Sequence, residues 1–155
     1  MMAWLEATSL ATWTRESPSI WAYPTILTLH TVGLGIVVGA NAVIDFRLLG
    51  FAPRMSLPAL SPLFRLILWA FVLNATTGFI LFMSEATTKS QQPIFYIKLT
   101  LIALALWDTN TVRRGMLRDG PSGAPLNSPR YRRLAVVSLL LWAGAITAGR
   151  LMAYL

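Results

Sequence analysis

The sequence predicts an all-α fold, a four-transmembrane-helix bundle preceded by a short N-terminal amphipathic helix lying in the membrane interface. Three observations predict it. Hydrophobic residues make up 55% of the chain, charged residues only 12%, and the mean hydropathy is +0.60, whereas a soluble domain carries roughly 25% charged residues. Four runs are long enough to span, because crossing about 30 Å of hydrocarbon takes roughly 20 predominantly apolar residues. The basic residues lie in the connections between those runs, not along one polar face.

Residues 1–19 are expected to form the interfacial helix. Glu6, Arg15 and Glu16 alternate there with Trp4, Leu5, Leu10 and Trp13, and two tryptophans suit headgroup level. A secretory signal has a basic start, an apolar stretch and a small-residue cleavage site; this segment lacks that order.

The first spanning helix is expected over about 20–44, after the cap signal Ser17-Pro18-Ser19 and before Asp45 and Arg47, with Pro24 kinking its outer end. The others are expected over about 62–83, 94–111 and 134–155, within a single membrane domain, 1–155. The connection after the third helix contains Asp119-Gly120-Pro121-Ser122-Gly123-Ala124-Pro125, a run of turn formers without apolar period, and should be mobile.

Cytoplasmic connections accumulate Lys and Arg. Arg47, Arg54 and Arg65, together with Arg113, Arg114, Arg118, Arg130, Arg132 and Arg133, are nine of the 13 basic residues, and they flank two connections that must share a side. The other side has Arg15 and Lys89, with Lys98 and Arg150 just inside helices. Both termini are therefore expected to be periplasmic, in a bacterial inner (cytoplasmic) membrane.

A net charge of +7 and a pI near 10.9 could suggest nucleic acid, but no basic stripe interleaves with aromatics on a polar surface. Cysteine is absent, which removes disulfides, thiolate metal sites and cysteine nucleophiles. No GxSxG, HExxH, Walker or dinucleotide motif occurs. The connections are too short for an aqueous domain, so chemistry belongs inside the bilayer or to a partner. The chain is not expected to be an enzyme on its own.

Helices in lipid pack through small residues that let backbones approach. Gly35 and Gly39 form a GxxxG in the first helix, and Ala145 and Gly149 repeat the spacing in the fourth. Packing within the chain is the plainer reading, and a homo-oligomer or other membrane subunits on Gly35 and Gly39 the sharper one.

Ionisable groups inside a membrane are costly and are functional candidates by default. His30 is the only histidine, and ten residues into its helix it lies roughly 15 Å deep at 1.5 Å per residue. Tyr23, His30 and Val37 share a face with Gly33, which would clear space. A neutral imidazole oriented by an acceptor on its other nitrogen can bind a metal, and haem b suits the place, since haems in helix bundles are held by side chains on facing helices. The plainer reading is a hydrogen bond within the bundle to Asn74, at similar depth in the second helix; quinone contact and proton transfer are further readings. Zinc wants three or four ligands, and no other histidine or cysteine exists.

Lys98 and Arg150 lie near the outer ends of the third and fourth helices. They either snorkel to the headgroups or hold the carboxylates of an anionic cofactor such as haem propionates, Arg150 as a bidentate fork. Asp45 and Asp108 lie towards the opposite ends, each near arginines in sequence, which suggests local ion pairs or a proton entry site. Trp69, Trp107 and Trp142 read as packing.

The stretch Ser19-Ile20-Trp21-Ala22-Tyr23-Pro24, then Leu29-His30-Thr31-Val32-Gly33-Leu34, Asp45-Phe46-Arg47-Leu48-Leu49-Gly50 and Phe95-Tyr96-Ile97-Lys98, resembles an uncharacterised bacterial family of small four-helix integral membrane proteins. More distantly, the architecture is similar to copper-resistance membrane proteins and transmembrane b-type cytochromes. Those families use several intramembrane histidines or methionines, whereas this chain has one histidine. The resemblance implies a lipid-embedded bundle. The functional expectation is a haem- or quinone-binding redox subunit or accessory of a respiratory assembly. Its rivals are a non-catalytic scaffold subunit and a small oligomeric proton or ion transporter lined by His30, Asn74, Asp108 and Arg150.

Overall fold

A computed structural model describes residues 3–17, 19–51, 54–119, 128–152 and 154. The described residues form seven helices: α1 (Ala3–Glu6), α2 (Ser9–Glu16), α3 (Ala22–Leu49), α4 (Leu57–Ser84), α5 (Ala86–Lys89), α6 (Pro93–Asp119) and α7 (Pro129–Leu151). By length and composition, Ala22–Leu49, Ala59–Ser84 and Pro129–Leu151 are long and apolar enough to cross a membrane. Helix α6 is as long, at 27 residues, but Lys98, Asp108, Arg113, Arg114 and Arg118 dilute its apolar character.

The long helices run past the apolar segments that mark them. Helix α3 continues through Asp45 and Arg47 to Leu49, where Gly50 adopts φ 96°. There its N–H reaches Arg47 O and the Phe51 N–H reaches Phe46 O at 3.0 Å, so the last carbonyls are satisfied in a left-handed cap that only glycine enters without strain. Pro24 falls in the first turn of α3, where a missing N–H costs no hydrogen bond, so the expected kink has no helix interior to break. Much of the expected 112–133 connection is helical, to Asp119 and again from Pro129; the turn formers 120–125 lie outside the described residues.

The expected interfacial segment divides into α1 and α2, with Thr8 capping α2 through its hydroxyl on the Ala11 N–H. Ala11 and Thr14 are buried, whereas Trp4 and Trp13 are exposed, so one face rests on the protein and the tryptophans point away. Glu6 Oε1 accepts the Thr87 N–H at 2.7 Å, tying α1 to the short helix α5. That hydrogen bond lowers the Glu6 pKa below its ordinary value.

Helix α3 packs on α4 and α7, and α7 packs on α6. Phe82 of α4 stacks on Phe95 of α6 with ring centroids 4.9 Å apart, linking the first and last of these helices at one end. The core comprises Val37, Ala40, Ile44 and Leu48 from α3, Leu60, Ile67 and Ala70 from α4, Ala105 and Val112 from α6, and Tyr131, Ala135 and Trp142 from α7. Large apolar side chains also cover the outside, Trp69, Trp107 and Leu140 among them, as a lipid-facing surface requires.

The α6–α7 pair is antiparallel, with Leu101 Cδ1 3.3 Å from where a Gly144 Cβ would be, Lys98 along Gly149, and Tyr131 across from Gly115. Gly144 and Gly149 thus let α7 approach α6, and Ala145 is buried. Gly35 and Gly39 do not act this way: a Cβ on either would meet nothing within 4 Å, so the packing within the chain expected of this GxxxG is not formed.

Candidate functional site

His30 lies in the contact between α3 and α4. Its Nδ1 is 2.9 Å from the backbone oxygen of Asn74, and a carbonyl can only accept, so Nδ1 carries the proton. The contact at 3.2 Å from Asn74 Nδ2 to the same nitrogen cannot then be a second hydrogen bond. That amide instead donates to the His30 backbone oxygen at 2.7 Å. The two residues are joined reciprocally, side chain to main chain in each direction. Thr77 Oγ1 lies 3.3 Å from Nδ1 and donates to Leu73 O.

With Nδ1 protonated, Nε2 of a neutral ring keeps its lone pair, and no hydrogen bond to Nε2 is present among the described residues.

Two glycines make this approach close. A Cβ on Gly33 would stand 3.2 Å from Ala70 O and from Asn74 N, and one on Gly78 would stand 2.8 Å from His30 Cε1. The space expected beside Gly33 is therefore taken by the α4 backbone and is not open to a flat ligand. Gly78 holds the corresponding role on α4, since any side chain there would press on the imidazole.

The other sequence candidates lie around this centre. Lys98 is half-buried, with its stem against Gly149, and its positive charge reaches the imidazole. Tyr23 and Arg150 are exposed, and no hydrogen bond joins either to His30. The structure thus brings His30, Gly33 and Asn74 into contact, sets Lys98 within electrostatic range, and leaves Tyr23 and Arg150 on the surface. Thr77 and Gly78 escaped the sequence reading. They follow Asn74 by three and four residues, and so share its helix face.

A second polar group occupies the α3–α6–α7 junction. Ser138 Oγ donates to Asp45 Oδ2 at 2.7 Å, and Thr109 Oγ1 donates to Asn41 Oδ1 at 2.6 Å. Asp45, Asp108, Asn41 and Ser138 are all buried. The arginine pairing expected of Asp45 and Asp108 is not found among the described residues: ion pairs there join Arg15 to Glu16 and Lys89 to Glu85, and Arg47 Nε instead donates to Met55 O. Among the described residues, no group of three or more His, Cys, Asp or Glu could hold a metal ion.

Comparison with protein-family models, with curated proteins and with solved structures returned no match.

Proposed function

We propose that the chain is a small integral protein of the bacterial inner membrane, a four-helix bundle with both termini periplasmic, that holds haem b through His30 Nε2 and serves as a redox subunit or accessory of a respiratory assembly. The observation that carries this reading is the hydrogen bond from His30 Nδ1 to the Asn74 carbonyl. Ligating histidines are characteristically fixed in this way, one nitrogen held by an acceptor while the other presents its lone pair. The donor set fits, for a haem needs one such imidazole and takes its other ligand from a second residue, a partner or none.

The face beside Gly33 is closed, and His30 Nε2 is the atom that would hold the group. Lys98 and Arg150 are the cations that would balance the carboxylates of such a group. A bound haem supplies one-electron transfer; the chain's own part is to fix the imidazole's tautomer and exclude water. The open Gly35–Gly39 face favours a second copy or another membrane subunit as neighbour. Helix α6 is long enough to cross as the fourth span, and Lys98 lies against α7, which shields it from lipid.

A second reading, a scaffold subunit in which His30 only pairs helices, is favoured by the close fit of Gly33 and Gly78. The absorption spectrum of protein purified in detergent from haem-replete cells separates the two. The redox reading expects a Soret band. A colourless preparation would overturn it and support the scaffold.

A further inference from the structure

The junction between α3, α6 and α7 holds two carboxyl groups that the haem reading does not use. Asp45 is 3% and Asp108 7% exposed, and no cation is paired with either among the described residues. Among the described residues, Asp45 has one hydrogen-bond partner, the Ser138 hydroxyl at 2.7 Å. Asp108 Oδ2 has none, and neither does the indole Nε1 of Trp142, a residue only 2% exposed.

These groups belong to one place. The contacts of Leu101 with Gly144, Lys98 with Gly149 and Tyr131 with Gly115 fix an antiparallel register in which Asp108 stands opposite Ser138. Ser138 is bonded to Asp45, and Asp108 is near enough for its charge to act on Asp45. Trp142 is one turn beyond Ser138 on the same α7 face, and Asn41 one turn beyond Asp45 on α3. An acceptor without a partner thus shares a buried layer with a second carboxyl, and a donor without a partner lies one turn away on α7.

A buried carboxylate without a cation is very costly, and two together cost more, because like charges repel strongly where the dielectric is low. The nearby charged groups do not relieve this. Arg47 on α3 is held by the Met55 carbonyl. Arg65 on α4, Arg113 and Arg114 on α6, and Arg130, Arg132 and Arg133 on α7 are exposed. Tyr131, the titratable residue on the buried face of α7, lies across from Gly115, two turns from the Asp108 layer.

We propose that Asp45 and Asp108, with Ser138 and Trp142, form a membrane-buried proton-binding site in which the carboxyl pair holds a proton reversibly. A proton removes the uncompensated charge, and a neutral carboxyl supplies the donor that a carboxylate lacks. A metal cation fits less well, because the Ser138 hydroxyl already presents its hydrogen to Asp45.

Infrared spectra of the full chain in lipid nanodiscs, in H2O and in D2O at neutral pH, test this. A carboxylic-acid C=O band that shifts in D2O is expected, and Asp108→Asn or Asp45→Asn should remove or displace it while helicity is kept, since Asn imitates a protonated Asp. A hydrophobic carbodiimide gives a readout that needs no variant. The acid O–H adds across its C=N bond, oxygen to carbon and proton to nitrogen, so the adduct should map to Asp45 or Asp108 by mass spectrometry. Absence of both band and adduct in folded protein would overturn the site. So would a band that vanishes when sodium or potassium replaces choline at fixed pH, which would make the occupant a metal cation.

Discussion

The contact between His30 and Gly78 makes the α3–α4 pairing testable by a double-mutant cycle. Gly78→Ala places a methyl carbon 2.8 Å from His30 Cε1 and 3.2 Å from Nδ1. The ring must move, and its hydrogen bond to Asn74 O, now 2.9 Å, must stretch. Overpacking of this kind costs about 1–3 kcal/mol, and an interhelical hydrogen bond in a membrane contributes about 0.6–1.7 kcal/mol. Gly78→Ala should therefore destabilise the protein by roughly 2–4 kcal/mol, whereas His30→Ala should cost about 1–2 kcal/mol. With His30 already Ala, the added methyl meets no ring. The two changes should then be non-additive, with a coupling of about 2–4 kcal/mol, the whole Gly78→Ala penalty and well above the few tenths expected of independent sites. Reversible unfolding in mixed micelles, monitored by circular dichroism, measures all four corners of the cycle. Additive losses would refute the contact as the source of the Gly78 penalty.

Three further outcomes follow, the second from the proposed topology and the others from the fold. Gly35→Leu and Gly39→Leu should leave the thermal stability of the isolated chain unchanged and shift any self-associated form towards monomer in cross-linking; a marked drop in monomer stability would place that face against another helix of the same chain. Cysteines introduced at Ser9 and Ser122 should react with an impermeant reagent from opposite sides of the membrane, and labelling from one side would contradict the topology. The Glu6 pKa is held below the ordinary glutamate value of 4.5 by the Thr87 N–H, so its contribution to stability is complete above that value and fades as pH falls through the lower, folded-state pKa. Glu6→Gln should flatten this acid limb in pH-dependent melting, and an unaltered limb would show that the α1–α5 tie does not form.

Much of the helical architecture was legible because lipid as solvent demands long apolar runs with internally satisfied backbones. The helix ends were less so. Charges such as Arg47, Arg113 and Arg114 interrupt the apolar pattern without ending the helix, so α3 and α6 extend beyond it. Depth matching was enough to connect His30 with Asn74. It did not identify what fills the room a glycine leaves: Gly33 clears space for whichever neighbour comes nearest, and that is the α4 backbone. Proximity in sequence also misled at the aspartates. Asp45 and Arg47 are two positions apart, hence on different faces of a helix, and Asp45 turns inward to Ser138 while Arg47 reaches Met55. The partners of Asp108 depend on the α6–α7 register, which the sequence pattern alone does not set.

His30, its Nδ1 held by the Asn74 carbonyl, is the residue that would ligate the proposed haem. Reduced-minus-oxidised difference spectra of wild type and His30→Ala, each purified from haem-replete cells and recorded with and without added imidazole, test that claim. The expected result is a b-type spectrum in wild type, its loss or strong displacement in His30→Ala, and partial recovery when free imidazole enters the vacated position. An unchanged haem spectrum in His30→Ala would contradict the assignment outright, because the iron would then be held by other residues.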